Sequence, residues 1–401
     1  MTEPYDALET RGRDRREADH LASINGLLQK LSQKPEWRDL LGGVAALEQL
    51  SDLQKLPVRY KSDLPEQQRG NPPFANFLLA GASDLRRMFF SPGPIADPES
   101  RQTGWWGTAR ALHHAGFKRG DIVQNCFSYH FTPAGAMFEC GLSELGIAVL
   151  PAGTGQTELQ AKAVAHFKTT GYVGTPDYLR TILECADGLG LDTSSLNKAL
   201  VTGGYYSPQL KEFYRERGIS VFECFGTADL GVIAYQRKPD DVLWLNEHIL
   251  LEVVRPGTGN PVPGGEVGET LVTRVDDVAP LIRFSTGDLT AFADSGDCGQ
   301  DAIVGWRGRA DQAAKIKGQF VRPQHIQEIC DRHPEIARAR LEISQTGGKD
   351  RMCLMIECST EDAALFGAIE NSIRAITNLK GSVERVDQLP NDGLVIKDCR
   401  T

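Results

Sequence analysis

The pattern of apolar and polar positions changes character several times along this 401-residue chain. Between residues 18 and 33, Leu21, Ile24, Leu27, Leu28 and Leu31 recur three and four apart, the period of a helix with one buried stripe. Residues 35–80 hold Pro, Gly and short polar clusters without a clear period. From about residue 100 a regular alternation begins. Residues 99–115 predict a helix stopped at Gly116, 121–126 a short buried strand, 133–145 a helix and 147–150 a strand. Thr157 with Gln160 three residues on has the form of a capping box and predicts a helix to about Phe167. Residues 171–174, 198–202 and 219–224 predict strands. Between them Thr175-Pro176 and Ser207-Pro208 each set an N-cap residue before a proline at the first helical position. Strand followed by helix, repeated, predicts parallel β-α-β units with right-handed crossovers.

Two further changes follow. Residues 249–254, 269–275 and 289–293 are rich in β-formers and separated by Pro-Gly and Gly-Gly turns, which predicts a mostly antiparallel appendage. After Gly308-Arg309 the pattern becomes α+β: helix over 326–333, strands over 337–344 and 351–357, helix over 361–378. The expected division is a large α/β domain, residues 1–310, and a small domain, residues 311–401.

Composition narrows the classes. Asp and Glu (53) outnumber Lys and Arg (44), a net charge of −9, which opposes a broad nucleic-acid footprint. No apolar run approaches the roughly 18 residues of a membrane span. Residues 1–16 are polar and carry no signal-peptide apolar region. The nine cysteines include no Cys-x-x-Cys pair, so reduced thiols and a cytoplasmic location are expected. Cys224, His248 and Cys298 have the donor types of a metal site, but their irregular spacing favours buried structural thiols.

Three stretches carry candidate chemistry. In Arg283-Phe284-Ser285-Thr286-Gly287-Asp288, an Asp on a glycine turn after a strand suits two ribose hydroxyls, although Thr-Gly-Asp also reads as a plain turn. Gly308-Arg309-Ala310-Asp311, with Lys317-Gly318 beyond, offers the fork of an arginine to ribose or phosphate, or is a solvated charged loop. Phe225-Gly226-Thr227-Ala228-Asp229 follows the strand expected to end at Cys224. Ligands bind beyond the carboxyl ends of such strands, and an Asp there can hold Mg²⁺ against phosphates or cap the next segment.

Taken in order and spacing, these stretches resemble the adenylate-forming superfamily, and within it the phenylacetate–CoA ligase family. The resemblance runs through Tyr5-Asp6, Glu9, Arg13-Asp14, Leu56-Pro57, Lys61 and Asp63-Leu64. It continues through Gly155-Gln156-Thr157-Glu158, Thr175-Pro176 with Tyr178, Asn246-Glu247-His248 and residues 256–273. It closes on Asp288, residues 308–311, Gly318, Val321 and Pro323. It implies an α/β adenylate-forming fold: a large N-terminal domain with parallel sheets and a β-rich subdomain, and a small mobile α+β C-terminal domain. The implied reaction joins a carboxylic acid to the α-phosphorus of ATP with loss of pyrophosphate, and then passes the acyl group to the thiol of CoA. ATP, Mg²⁺ and CoA are thus the implied cofactor and co-substrates, an aromatic acid the implied substrate, and a homodimer the implied assembly, with no nucleic-acid or membrane partner.

Residue by residue, the resemblance puts Phe225 on adenine and sets Gly203, Gly204, Gly226 and Thr227 around the nucleotide and acyl carboxylate. Asp229 becomes the Mg²⁺ ligand, and Asp288 and Arg309 hold ribose. Asp311 becomes the domain hinge, and Lys317 and Gly318 adjoin the pantetheine path, where glycine permits close approach. Tyr129, His130, Phe131 and Tyr205 would frame the acyl pocket, since aromatics beside glycines suit a flat ring. Two stretches depart from the family. Its phosphate loop is rich in Ser, Thr and Gly and carries Lys, whereas here Ser91-Pro92-Gly93-Pro94-Ile95 has two prolines, which lack N–H donors, and no Lys. The C-terminal catalytic Lys is replaced in register by Leu394, with Lys397 three residues on. These departures keep two alternatives in view: adenylation with a non-CoA acceptor, as in acyl-protein synthetases, and a degenerate nucleotide- or acyl-CoA-binding protein.

Overall fold

Short apolar strands followed by capped helices build a nine-stranded sheet in the first of two units, Met1–Arg307 and Gly308–Thr401. This computed structural model describes residues 3–79, 81–255, 258–294, 301–310, 312–316, 319–346, 349–360, 362–389 and 395–400. The sheet order is Phe292–Ala293, Ala302–Ile303, Leu243–Leu245, Gly231–Gln236, Ser220–Thr227, Lys198–Val201, Gly171–Gly174, Ile122–Asn125 and Ala148–Pro151. The last five of these run parallel and the rest pair antiparallel. From Ile122–Asn125 the chain passes through helix Ala134–Glu144 to the edge strand Ala148–Pro151. It then returns through helix Thr157–Phe167 to Gly171–Gly174 on the other side. This reversal of direction opens a crevice at the carboxyl end of Ile122–Asn125, the usual ligand site of such sheets.

Both faces of the parallel strands are covered, which is why they read as continuous apolar runs. Val123, Val173, Leu200 and Phe222 face Leu112, Phe138 and Leu142. Tyr172, Ala199, Val201 and Val221 point the other way onto Leu179, Ile182, Leu183 and Tyr214. The appendage is a sheet of Arg59–Tyr60, Leu281–Thr290, Gly268–Arg274 and Ile249–Val254. A separate hairpin joins Leu85–Ser91 to Ile95–Ser100. The first long helix, Arg13–Ser32, buries Ile24, Leu27, Leu28 and Leu31, the stripe its period predicts. In the second unit, Ser382–Arg385, Lys349–Cys358, Ile336–Thr346 and Ile396–Asp398 form one sheet against helices Pro323–Arg332 and Ala363–Thr377. Among the described residues no helix is long and apolar enough to cross a membrane.

Four sequence expectations change. The helix expected over 99–115 is a strand, Ile95–Ser100, followed by turns and the shorter helix Thr108–His114. Gly107 forces this: its φ is +64°, and a Cβ there would lie 2.2 Å from Asn246 Nδ2. The capping box at Thr157 is absent. Gln156 is the N-cap, and the Gln160 amide instead donates to the carbonyls of Gly153 (2.9 Å) and Gly155 (2.8 Å). The strand expected to end at Cys224 continues to Thr227 and turns back as a hairpin. The strand expected at 289–293 is split: residues 289–290 end the longer strand Leu281–Thr290, and Phe292–Ala293 joins the nine-stranded sheet. In the longer strand Thr286-Gly287-Asp288 bulges out rather than turning: Glu269 pairs Leu289 while Leu271 pairs Ser285.

Candidate active site

The loop leaving Ile122–Asn125 sits at the reversal crevice. Asn125 Nδ2 donates to the Tyr129 hydroxyl at 2.8 Å and to the Gly135 carbonyl at 2.8 Å, which fixes the ring on the start of helix Ala134–Glu144. Burial, with a contact from Glu139, holds the Tyr129 phenol above its ordinary range, so it acts as a neutral donor. His130 and Phe131 stack edge to face at 5.0 Å, and Phe131 is 67% exposed. The Phe131 carbonyl accepts from the Phe90 amide at 2.8 Å, which couples this loop to the Leu85–Ser91 hairpin. After Lys198–Val201, Gly203, Gly204 and Tyr205 are exposed at the same edge of the sheet. An aromatic wall therefore stands beside open backbone.

The Phe225 stretch is tighter than the sequence suggests. Phe225 is 8% exposed and packs with Ile95, Leu230 and Ile233, so little of it is open to a ligand. Gly226 is required by the hairpin, since a Cβ there would lie 2.6 Å from the Gly231 carbonyl oxygen. The Thr227 hydroxyl accepts from the Leu230 amide at 3.2 Å and so is spent on the turn. Asp229 occupies the tip, its side chain 5% exposed.

Around Asp229 lies a charged cluster. Lys61 Nζ stands 2.5 Å from Asp229 Oδ2. Asp97, 3% exposed on the hairpin strand Ile95–Ser100, brings its carboxyl within hydrogen-bonding reach of Asp229. Burial, then the charge of Asp229, push the Asp97 carboxyl up to about 7, against relief from Ser91 and Lys61. Burial opposes the Lys61 charge, but Asp229, and after it Asp97 and Asp288, hold the ammonium above its usual range. Asp229 Oδ1 and Asp97 Oδ2 are buried without a hydrogen-bond donor. A carboxylate oxygen bare of donors fits the Mg²⁺ expected at Asp229, because hard cations take oxygen ligands. Sequence reasoning named Ser91, Gly93 and Asp229 here and missed Asp97. Ser91 is 5% exposed and its hydroxyl turns inward to the Ile95 carbonyl at 3.4 Å, while Gly93 is exposed in the turn.

Asp288 is 8% exposed and accepts from the Trp306 indole at 3.1 Å. Its neighbour in sequence, Arg283, is spent on architecture: Nε and Nη2 grip Glu252 at 2.9 and 3.0 Å, and Nη1 and Nη2 donate to the Leu56 and Gly259 carbonyls at 2.7 Å each. Arg309 belongs to the second unit. So does Lys397, exposed on the outer face of the strand Ile396–Asp398, with no ion pair among the described residues. Asp311, Lys317, Gly318 and Leu394 lie outside the described residues. Cys298 does too. Burial pushes the Cys224 thiol up to about 12 and the His248 imidazole down, and no three His, Cys, Asp or Glu side chains among the described residues are grouped to hold a metal.

Several residues that carry the family resemblance are structural. Glu9 accepts from the Tyr5 amide (2.8 Å), Tyr235 (2.8 Å), Arg110 (3.1 Å) and His114 (2.9 Å). Arg11 and Arg16 both reach Glu247 Oε2 at 2.6 Å, and Asn246 donates to the Gly107 and Val232 carbonyls. They tie the N-terminal segment to the sheet.

Residues 103–279 match the AMP-binding enzyme family. Phenylacetate-coenzyme A ligase of Escherichia coli (strain K12) is 28% identical over 366 residues, 87% of this chain and 82% of that protein. The enzyme of the same name from Aromatoleum evansii is 27% identical over 332 residues, 79% and 74% of the two chains. Among solved structures, 2-hydroxyisobutyryl-CoA ligase in complex with 2-HIB-AMP and CoA superposes with a TM-score of 0.74 at 21% identity, covering 98% of this chain and 91% of that one. With the doubly wound sheet and its site, these matches define an adenylate-forming enzyme. Over most of its length the chain is similar to phenylacetate-coenzyme A ligases.

Proposed function

We propose that the protein is an ATP-dependent acid–CoA ligase that converts an aromatic, phenylacetate-like carboxylic acid to its acyl-adenylate and then to the thioester. The observation that carries this reading is the setting of Tyr129, Phe131, the open glycines 203 and 204 and Asp229 along one carboxyl edge of the sheet, in a chain aligned over most of its length with phenylacetate-coenzyme A ligases. The aromatic wall orients a flat acid, and its carboxylate attacks the α-phosphorus as pyrophosphate leaves. Asp288 and Arg309 hold ribose, and Phe225 meets adenine. Asp229 would hold Mg²⁺, which when bound offsets phosphate charge. Lys397, free on an outward strand face, supplies the cation that stabilises the developing charge of adenylation. The small C-terminal domain, residues 311–401, would turn at Asp311 between half-reactions and bring Lys317 and Gly318 to CoA.

Acid-dependent ATP–pyrophosphate exchange over a panel of aryl and short acyl acids, with and without CoA, tests this. Exchange is expected with aryl acids, and thioester only when CoA is present. Lys397→Ala should lower exchange by about 100-fold and spare thioester formation from pre-made acyl-adenylate. Absence of exchange with every acid would overturn the ligase reading. Survival of both half-reactions in the variant would make Lys397 ordinary surface charge.

A further inference from the structure

The hairpin beside Asp229 is poorly equipped to meet phosphate directly. Its turn, Ser91-Pro92-Gly93-Pro94, has two residues without an N–H, and the Ser91 hydroxyl is turned inward. The charges nearby are three carboxylates, Asp97, Asp229 and Asp288, against two cations, the Lys61 ammonium and the buried Arg274 guanidinium, which donates to the Asp229 backbone carbonyl at 3.0 Å. A polyphosphate approaching this cluster is repelled unless further positive charge arrives with it. Lys61 satisfies one oxygen of Asp229, the Trp306 indole donates to Asp288, and Ser91 faces Asp97. What is left over is one oxygen on each of two touching carboxyl groups, Asp97 Oδ2 and Asp229 Oδ1, both buried and both without a donor. Bare oxygens on two facing carboxyl groups are met by a shared proton or by a cation. Mg²⁺ is commonly held by one or two carboxylates, with water and substrate phosphate completing its shell.

We propose that Asp97 and Asp229 form a two-carboxylate seat for a divalent cation that carries the nucleotide phosphates, with Asp97 as a metal ligand contributed by the hairpin. This rests on the nucleotide-binding reading above and adds a residue and a charge balance to it. The cation supplies the positive charge that the hairpin turn lacks. Lys61 holds Asp229 in the orientation that leaves Oδ1 for the metal.

The test uses Mn²⁺ as probe and the full chain, with free Mn²⁺ followed by electron paramagnetic resonance, in the presence and absence of AMP. The wild type is expected to bind a single Mn²⁺ tightly and to melt at higher temperature with Mn²⁺ present. Asp97→Asn, nearly isosteric, should weaken Mn²⁺ binding by about tenfold or more and shrink the Mn²⁺-induced rise in melting temperature. Mn²⁺ affinity unchanged in Asp97→Asn overturns the proposal, and so does a wild type that neither binds nor is stabilised by Mn²⁺. Should Asp97→Asn fail to fold, Asp97→Ser and the wild-type melting shift decide the same question. No acid and no turnover enter the measurement. A chain inactive with every acid but losing Mn²⁺ on Asp97→Asn keeps the seat and loses the ligase reading, while an active chain with unchanged Mn²⁺ binding does the reverse.

Discussion

Two buried carboxylates in the first unit have opposite surroundings. Glu9, its side chain 3% exposed, accepts from an amide, a phenol, a guanidinium and an imidazole. Asp97, equally buried, faces another carboxylate and keeps an oxygen with no donor. Burial alone raises any carboxyl. At Glu9 the hydrogen bonds from His114, Tyr5 and Tyr235 and the charge of His114 overcome it and hold the group well below its usual range. At Asp97 the charge of Asp229 adds to burial and raises it. Burial therefore does not tell a structural carboxylate from a working one. Between these two the number of donors does, because a saturated group has nothing left to offer a ligand.

The largest expected effect separates the two at once. Glu9→Gln should destabilise the protein by about 3 kcal/mol at neutral pH, since it leaves Arg110 and His114 facing a group without charge. Urea titration measures it. The Glu9 contribution is fully present above its ordinary value of 4.5, because the folded group is depressed, and is lost as pH falls below that. The gap between wild type and variant should therefore narrow from about pH 4.5 downward. A gap that stays constant to low pH would place the effect in packing instead.

Lys61→Gln comes next. It removes the ammonium beside Asp229 and should cost about 2 kcal/mol in cation-free buffer. Saturating Mg²⁺ should recover much of this, because a ligand that binds only the folded state stabilises it. Equal loss with and without Mg²⁺ would make Lys61 a plain structural pair like those at Glu9. Smaller and opposite in sign, Asp97→Asn should stabilise the cation-free protein by about 1 kcal/mol, by removing one of two facing charges. A lower melting temperature without metal would show that Asp97 serves the fold. The smallest effect is expected at Pro92→Ser, which returns an N–H and a hydroxyl to the hairpin turn. It should lower the Michaelis constant for ATP about threefold, the worth of one added hydrogen bond. No change would indicate that phosphate is held through the cation alone.

Much of the scaffold was legible beforehand. The helices Ala134–Glu144 and Thr157–Phe167, the starts of Pro176–Gly188 and Pro208–Glu216, and the strands between them fall within a few residues of their predicted positions. Apolar period and Ser/Thr-Pro starts are local signals, set by backbone and side-chain geometry within one turn. The candidate loops were legible for a related reason: once strand and helix alternate, the residues after each strand lie at the carboxyl edge, wherever the rest of the chain goes. Tyr129, Phe131, Gly203 and Asp229 needed nothing more.

The sequence by itself determined the parallel β-α-β units, the α+β pattern after residue 308 and the short segments from which a site could be drawn, because these depend on neighbours a few positions apart. Tertiary structure alone decided which polar residues are spent and which are free. Residues 99–115 hold enough helix formers to mislead until Gly107 meets Asn246 and residues 95–100 pair with Leu85–Ser91. Asp97 reads as a loop acid until that pairing puts Ile95, Asp97 and Glu99 on the buried face and carries Asp97 to Asp229, 132 positions away. Arg283 and Asp288 share one motif, yet Arg283 closes on Glu252 and two carbonyls while Asp288 stands in a bulge within range of the Lys61 charge. Electrostatic balance depends on what folding brings within a few ångströms, and that distance is not a property of any short stretch of chain.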